Sequence, residues 1–97
     1  MSLQVLPHAE GVDLYDVVDR AIEVIQVSGI PHEVGAMETT MEGDYDRLMA
    51  IAKEAQEACM AAGADRVIAL IKVDWKRGGL SFDEKIGKYR AGPRADR

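Results

Sequence analysis

The apolar period at the start of the chain changes from two residues to three or four, which predicts a strand followed by a helix. Residues 2–8 alternate between two faces, as in a short strand closed by a proline. Residues 12–28 carry an apolar stripe at helical spacing. The stripe consists of Leu14, Val17, Val18, Ala21, Ile22 and Ile25. Gly29 and Pro31 predict the end of this helix, because glycine accepts a left-handed conformation and proline cannot continue the helix.

The middle of the chain lacks a helical stripe. Residues 32–42 contain β-forming residues, with Gly35 among them. This pattern predicts two strands, or one bent strand pair, with the bend near residues 36–38. An interior glycine is typical of a β-bulge, so we expect Gly35 to mark one.

The second half of the chain repeats the helix and strand patterns. Residues 44–62 carry a stripe at spacings of three and four, rich in alanine, which favours a helix that lies close to a sheet. Residues 66–74 alternate as a strand. Ser81 and Glu84 have the spacing of a capping box, which predicts a short helix to about residue 89. Residues 91–97 show no pattern and are predicted to form a loose tail.

The order of these elements predicts an α+β ferredoxin-like βαββαβ sandwich with a short C-terminal helix, in one domain over residues 1–90. Both helices are then expected on the Val67 and Ile71 side of the sheet. The opposite side still carries Leu6, Ile68 and Leu70, where a half-exposed antiparallel sheet is normally polar. We therefore expect a second subunit to cover that face. The alternative is that the terminal helix folds back over it.

Composition and charge narrow the classes of partner. The 97 residues carry 12 basic and 17 acidic side chains, for a net charge of −5, which argues against a nucleic-acid partner. No apolar run approaches the ~20 residues of a membrane span, and no basic leader opens the chain. The single cysteine excludes an intrachain disulfide and fits a reducing compartment. The predicted location is the cytoplasm.

The densest group of polar side chains lies in residues 38–44, between a strand and a helix. Thr39 and Thr40 can donate and accept hydrogen bonds, and Glu38 and Glu42 accept them when ionised. Such a set is suited to an amine-bearing heterocycle. The same residues are also explained by the strand propensity of threonine and by the preference of acidic residues for a helix N-terminus.

Other candidate chemistry is weak. His8 and His32 lack the spacing of a metal site, and Cys59 lies on the apolar stripe of the second helix, as an inert core residue would. Trp75 ends the last strand, where it would either stack on a ring or anchor a subunit contact. No glycine-rich phosphate loop or nucleophile–base constellation is present in the sequence, so no metal, cofactor or catalytic residue is predicted.

Three segments of the chain resemble the YkoF-like family of thiamine- and hydroxymethylpyrimidine-binding proteins. They are HEVGAMETTMEGD at residues 32–44, AGADRVIALIKVDWK at 62–76 and GGLSFDEKIGKYR at 78–90. The resemblance covers about residues 3–90. It implies a ferredoxin-like subunit assembled as a dimer or as a dimer of dimers, with the tetramer favoured. It also implies non-catalytic binding of thiamine or of its hydroxymethylpyrimidine moiety.

Carried over by position, the resemblance implies ligand contacts from Thr39, Thr40 and Glu42. Glu38 departs from the family pattern, which has a small or amide residue there. From the strand pattern itself, Gln4 and His8 share one face of the first strand and would complete the polar set. The carboxylates would also favour the cationic thiazolium of thiamine.

Two other hypotheses remain open at this stage. In one, the apolar sheet face is the function, and the protein is a structural or regulatory module without a ligand. In the other, the protein is a small hydrolase on the same fold. The second would need a glycine-rich anion loop with an arginine near the first strand, and the sequence has none there.

Overall fold

A computed structural model describes residues 1–77 of the chain. These residues form two helices and one antiparallel sheet with the strand order β2-β3-β1-β4. The elements are β1 (Ser2–His8), α1 (Leu14–Ser28), β2 (His32–Val34), β3 (Thr39–Met41), α2 (Tyr45–Ala61) and β4 (Arg66–Lys72). The predicted ferredoxin-like arrangement is confirmed. The predicted terminal helix, the end of the domain at residue 90 and the tail at 91–97 lie outside the described residues.

Side-chain caps set the helix boundaries. Asp13 precedes α1, and its carboxylate accepts a hydrogen bond from the backbone N–H of Tyr15 at 2.9 Å. Asp44 does the same for α2, accepting from the N–H of Arg47 at 3.2 Å. The first helix therefore begins two residues later than predicted, because Asp13 is the N-cap that precedes the helix and is not part of it. Gly29 ends α1 in the left-handed conformation, with φ 75°, as expected.

Residues 35–38 form the turn of the β2–β3 hairpin. The N–H of Gly35 donates to the carbonyl oxygen of Glu38 at 2.9 Å. A Cβ at Gly35 would lie 2.9 Å from the same oxygen, so this position requires glycine. The predicted bulge at Gly35 was wrong: Val34 pairs directly with Thr39, and the glycine opens the turn instead.

Among residues 1–77, one edge of β1 is only partly paired, because β3 is shorter than β1. β4 pairs with β1 from Ser2 to His8, whereas β3 pairs with β1 only at Ser2 and Leu3. Beyond Leu3, β4 is therefore the only strand beside β1 among residues 1–77. Pro7 lies in this part of β1, where a missing backbone N–H is tolerated. β4 ends at Lys72, two residues earlier than predicted.

The core lies between the two helices and one face of the sheet, as the apolar stripes predict. Its most buried side chains are Leu3, Val17, Ala21, Ile25, Met41, Leu48, Ile51, Ala52, Ala55 and Cys59. Val67, Ala69 and Ile71 pack against this cluster from β4. Leu14 belongs to the predicted stripe but is 43% exposed, because it lies in the first turn of α1, at the rim of the core.

The other face of the sheet carries side chains from β1 and β4 in register. Leu6 lies opposite Ile68 and Gln4 lies opposite Leu70, while Lys72 lies opposite Ser2 at one end. Leu6, Ile68 and Leu70 are 40%, 38% and 47% exposed. We call this surface the open face. None of residues 1–77 covers its apolar side chains, so within this part of the chain β1 and β4 carry apolar side chains on both faces of the sheet.

Cys59 is expected to resist thiol reagents in the native protein. Its side chain is fully buried, its Sγ lies 3.8 Å from the carbonyl oxygen of Val17, and burial raises the pKa of its thiol. Since the thiolate is the reactive form, labelling requires the fold to open. Labelling by a disulfide reagent should be more than about a thousandfold slower than in urea-unfolded protein. Native labelling at the rate of a free thiol would contradict this placement.

Candidate functional site

A cavity of about 210 Å³ lies between α1 and the sheet, next to the unpaired part of β1. We call it the sheet–helix cavity. It is lined by residues 3–5 of β1, by residues 34–39 of the β2–β3 hairpin, and by one side of α1. The α1 residues are Val18, Ala21, Ile22 and Ile25. The cavity is present because β3 is only three residues long, so no strand fills the space beside β1 beyond Leu3.

Thr39 brings a hydroxyl group to this mostly apolar cavity. The residue is 6% exposed and its side chain lies on the helix side of the sheet, opposite Leu3. Its hydroxyl forms no hydrogen bond with any of residues 1–77. Among these residues, every side-chain oxygen or nitrogen that is fully shielded from solvent has a hydrogen-bond partner, so the hydroxyl of Thr39 is not fully shielded. The hydroxyl is therefore accessible from the cavity and can donate to, or accept from, a group that enters it.

Glu38 reaches the opposite side of the sheet from the turn that lines the cavity. Its Oε1 lies 2.9 Å from Nζ of Lys72, with β1 between the two residues. The side chain of Lys72 is 71% exposed and that of Glu38 is 31% exposed. Gln4 contributes to the cavity wall and pairs with Leu70 across the sheet. Gln4, Glu38 and Thr39 therefore all border one cavity, but only the side chain of Thr39 lies on the cavity's side of the sheet.

The two neighbouring threonines point in opposite directions. Thr39 lies on the helix side, whereas Thr40 pairs with Ser2, and their hydroxyl oxygens are 3.2 Å apart on the open face. Adjacent residues of a strand project to opposite faces, so both hydroxyls cannot line the same cavity. The prediction that both threonines contact ligand stays a prediction, and it now requires two different surfaces.

Glu42 lies in a second recess, at the start of α2, which we call the α2 cleft. This recess of about 220 Å³ is bordered by Asp44 and Tyr45 on one side and by Asp74 and Trp75 on the other. The rings of Tyr45 and Trp75 stack, with centroids 4.6 Å apart and planes 8° from parallel. Trp75, which the sequence suggested as a platform for a ring or a subunit contact, therefore already stacks on a ring of its own chain.

His8 lies at the far end of β1. It pairs with Arg66 and is four residues from Gln4, which places it about 13 Å from that residue along the strand. The Nδ1 atom of His32 is 2.9 Å from the carbonyl oxygen of Ile30. Within residues 1–77, no three His, Cys, Asp or Glu side chains are grouped so that they could hold a metal ion. Neither described helix is long and apolar enough to cross a membrane.

Sequence reasoning did not identify the apolar walls of the cavity. Val18 and Ile22 belong to the predicted stripe of α1, and that pattern marks them as core residues. In the structure they are half-buried and border the cavity. Residues 34–37 form the opposite wall, and they overlap the bend that the sequence predicts near residues 36–38. Only the lengths of β2 and β3 reveal that this bend faces α1.

Comparison with known proteins gives consistent results. The profile of a family described as thiamine-binding protein matches residues 1–90. A UPF0045 protein from Clostridium perfringens is 54% identical over 90 residues, which is 93% of this chain and 95% of that protein. A UPF0045 protein from Mycobacterium bovis is 42% identical over 79 residues, covering 80% of this chain and 76% of that protein.

Solved structures agree with the described fold. A domain of unknown function from Bacillus cereus is 52% identical, with a TM-score of 0.88 over 92% of this chain and 86% of that one. A protein from Thermotoga maritima, for which a role in thiamine biosynthesis or salvage has been suggested, is 38% identical. Its TM-score is 0.80, over 92% of this chain and 95% of that one. On the strength of the profile match and these relatives, the chain belongs to the thiamine-binding protein family.

Proposed function

We propose that the protein binds thiamine or its hydroxymethylpyrimidine moiety in the sheet–helix cavity, without catalysing a reaction and without a metal or cofactor. The observation that carries the proposal is the unpaired hydroxyl of buried Thr39 at a cavity whose walls are mostly apolar. Ligand sites commonly combine apolar walls with a few placed polar groups, and this cavity has that composition. The family match supports the choice of ligand.

The size of the cavity favours one ring over two. Its volume of about 210 Å³ is below the roughly 300–1,000 Å³ of sites for drug-sized ligands. A single substituted pyrimidine suits this space, with its faces against Val18 and Ile22 of α1. Its ring nitrogens accept hydrogen bonds and its exocyclic amine donates them, so either type of group matches the hydroxyl of Thr39.

In intact thiamine, the thiazolium ring would remain at the mouth of the cavity, near the turn at residues 35–38. Its positive charge is favoured by the net charge of −5, whereas the carboxylate of Glu38 lies on the opposite side of the sheet and is paired with Lys72. In this arrangement Thr39 makes the direct contact, and Gln4 and Glu38 belong to the wall. Thr40, Glu42 and His8 lie outside the cavity, so we do not assign them to the pyrimidine contact.

Replacing Thr39 tests the proposal directly. Titration calorimetry with hydroxymethylpyrimidine, thiamine and thiamine diphosphate should give heat with at least one of them. Thr39→Val keeps the shape of the side chain and removes the hydroxyl, which should weaken binding roughly tenfold. The variant should unfold at the wild-type temperature, because the hydroxyl has no partner among residues 1–77 that would be lost.

Thr40→Val serves as the matched comparison, since it makes the same chemical change on the opposite face of the same strand. The cavity proposal expects the larger loss of affinity in Thr39→Val. A larger loss in Thr40→Val would place the ligand on the open face instead. Absence of heat with all three compounds would reject ligand binding and would favour the hypothesis of a structural interaction module.

We also propose that the protein is a cytoplasmic homo-oligomer, a dimer of dimers rather than a simple dimer, in which open faces pack against one another. The contact between open faces rests on the exposure of Leu6, Ile68 and Leu70 on one face of the sheet. The step from a dimer to a dimer of dimers is what the family resemblance implies. A second copy of the same face offers a self-complementary apolar surface, as twofold interfaces require. The single buried cysteine suits a reducing compartment. Light scattering at micromolar concentration should report about four chain masses, and a monomer would reject the proposal.

A further inference from the structure

We propose that Glu38 and Lys72 are positioning residues, which hold the turn at residues 35–38 against α1 and so set the affinity of the sheet–helix cavity. The inference rests on the proposed function, and it adds two residues whose action on the ligand is indirect. Lys72 is not part of the cavity wall, and it acts from the other side of the sheet through Glu38.

The turn is fixed at two points. Its backbone is closed by the hydrogen bond from Gly35 to the carbonyl oxygen of Glu38, at 2.9 Å. Its side-chain anchor is the 2.9 Å ion pair between Glu38 and Lys72, which joins the hairpin to β4 across the intervening strand β1. The first contact sets the shape of the turn, and the second sets its position relative to the sheet.

The hairpin has little else to hold it. β2 and β3 have three residues each, and β2 is the edge strand of the sheet. Ala36 and Met37 in the turn are exposed, the latter by 73%. A backbone segment that is ordered only when ligand binds costs about 1–2 kcal/mol per residue. A turn that is already in place avoids part of this cost, and affinity increases accordingly.

The alternative role for Glu38 is direct contact with ligand, as its place among the predicted site residues implies. The two roles make different predictions for Lys72. If Glu38 acts through Lys72, then removing either charge should have the same effect, and exchanging the two charges should restore binding. If Glu38 contacts the ligand itself, Lys72 should be dispensable and the exchange should fail.

The test uses calorimetry with hydroxymethylpyrimidine. This ligand lacks the positively charged thiazolium ring, so a change in its affinity does not reflect attraction between that ring and the carboxylate of Glu38. The variants are Glu38→Gln, Lys72→Met and the exchanged pair Glu38→Lys with Lys72→Glu. Because the ion pair is partly exposed, each single change should weaken binding by up to about fivefold. The exchanged pair should return to within about twofold of the wild type.

A matched control is available on α1. Arg20 and Glu23 form an exposed ion pair at 3.4 Å, and neither residue lines the sheet–helix cavity. Glu23→Gln removes a surface ion pair of the same kind and should leave affinity unchanged. Thermal unfolding and light scattering on each variant should match the wild type, since a positioning role changes affinity at constant stability and mass.

Three results would overturn the inference while leaving ligand binding intact. These are a normal affinity for Lys72→Met, failure of the exchanged pair to recover, and a loss of affinity in Lys72→Met that accompanies a loss of oligomer mass. By contrast, absence of binding in the wild-type protein would reject the proposed function itself. The two failures are therefore distinguishable in one set of measurements.

Discussion

A Leu70→Asp variant is expected to lose the contact between open faces and so to form a smaller assembly than the proposed wild-type oligomer. Leu70 is 47% exposed in the single chain and lies on the open face with Leu6 and Ile68. Packing of two open faces would bury these side chains. An aspartate at this position would place an unpaired carboxylate in the apolar contact, which costs several kcal/mol for each copy. Light scattering and sedimentation should report at most half of the wild-type mass, because a twofold contact between open faces joins the chains in pairs.

The control for this prediction is Val27→Asp. Val27 is 79% exposed and lies on α1, on the other side of the molecule from the open face. The Val27→Asp variant adds the same charge to the chain at a site away from the proposed interface, so it should retain the wild-type mass. The far-ultraviolet circular dichroism of Leu70→Asp should show the wild-type content of helix and strand. An oligomer of unchanged mass in Leu70→Asp would show that the open face is not the contact.

An Ile51→Ala variant is expected to lose about 2–5 kcal/mol of unfolding free energy. Ile51 is 4% exposed and lies in α2, in the core between the helices and the sheet. The truncation removes apolar contacts and leaves a void that close-packed neighbours refill only in part. Since a small domain is stable by only about 5–15 kcal/mol in total, the loss is a large fraction of its stability. Urea unfolding followed by circular dichroism measures the change.

Two further variants calibrate this result. Ile51→Val removes only one methylene group from the same side chain and should cost about 0.5–1.5 kcal/mol. Val27→Ala changes an exposed residue and should stay within about 0.5 kcal/mol of the wild type. If Ile51→Ala were no more destabilising than Val27→Ala, the placement of α2 over the core would be wrong.

Much of the fold could be predicted because its determinants are local. Each helix or strand has its own apolar period, which can be found within a short stretch of sequence. The alternation of residues 2–8 and the apolar stripes of the two helices are of this kind, and the structure has a strand and two helices there. The errors arose where a residue has a second role. Asp13 has an acidic side chain suited to the first turn of a helix, yet it caps α1 from outside. Gly35 fits a bulge, yet it opens a turn that needs its missing Cβ.

The candidate site was less predictable because it depends on contacts between distant elements. The strand period alone indicates that Thr39 and Thr40 face opposite sides, although it does not say which side has a cavity. That answer depends on the short pairing between β1 and β3 and on the position of α1. Likewise, Lys72 and Glu38 are 34 residues apart in sequence, and only the strand order brings them together.

The edge of β1 that lies away from β4 has no partner strand beyond Leu3 among residues 1–77, which limits how copies of the chain can meet. A free strand edge normally recruits further strands, which leads to open-ended stacking and aggregation. Here that edge contains Pro7, which has no N–H to offer, and a proline within a ladder directs its missing donor away from the paired strand. Strand addition is thereby disfavoured at this edge. Among residues 1–77, strand addition is then left to the outer edges of β2 and β4, where the order β2-β3-β1-β4 ends, and the sheet can grow only along those two directions.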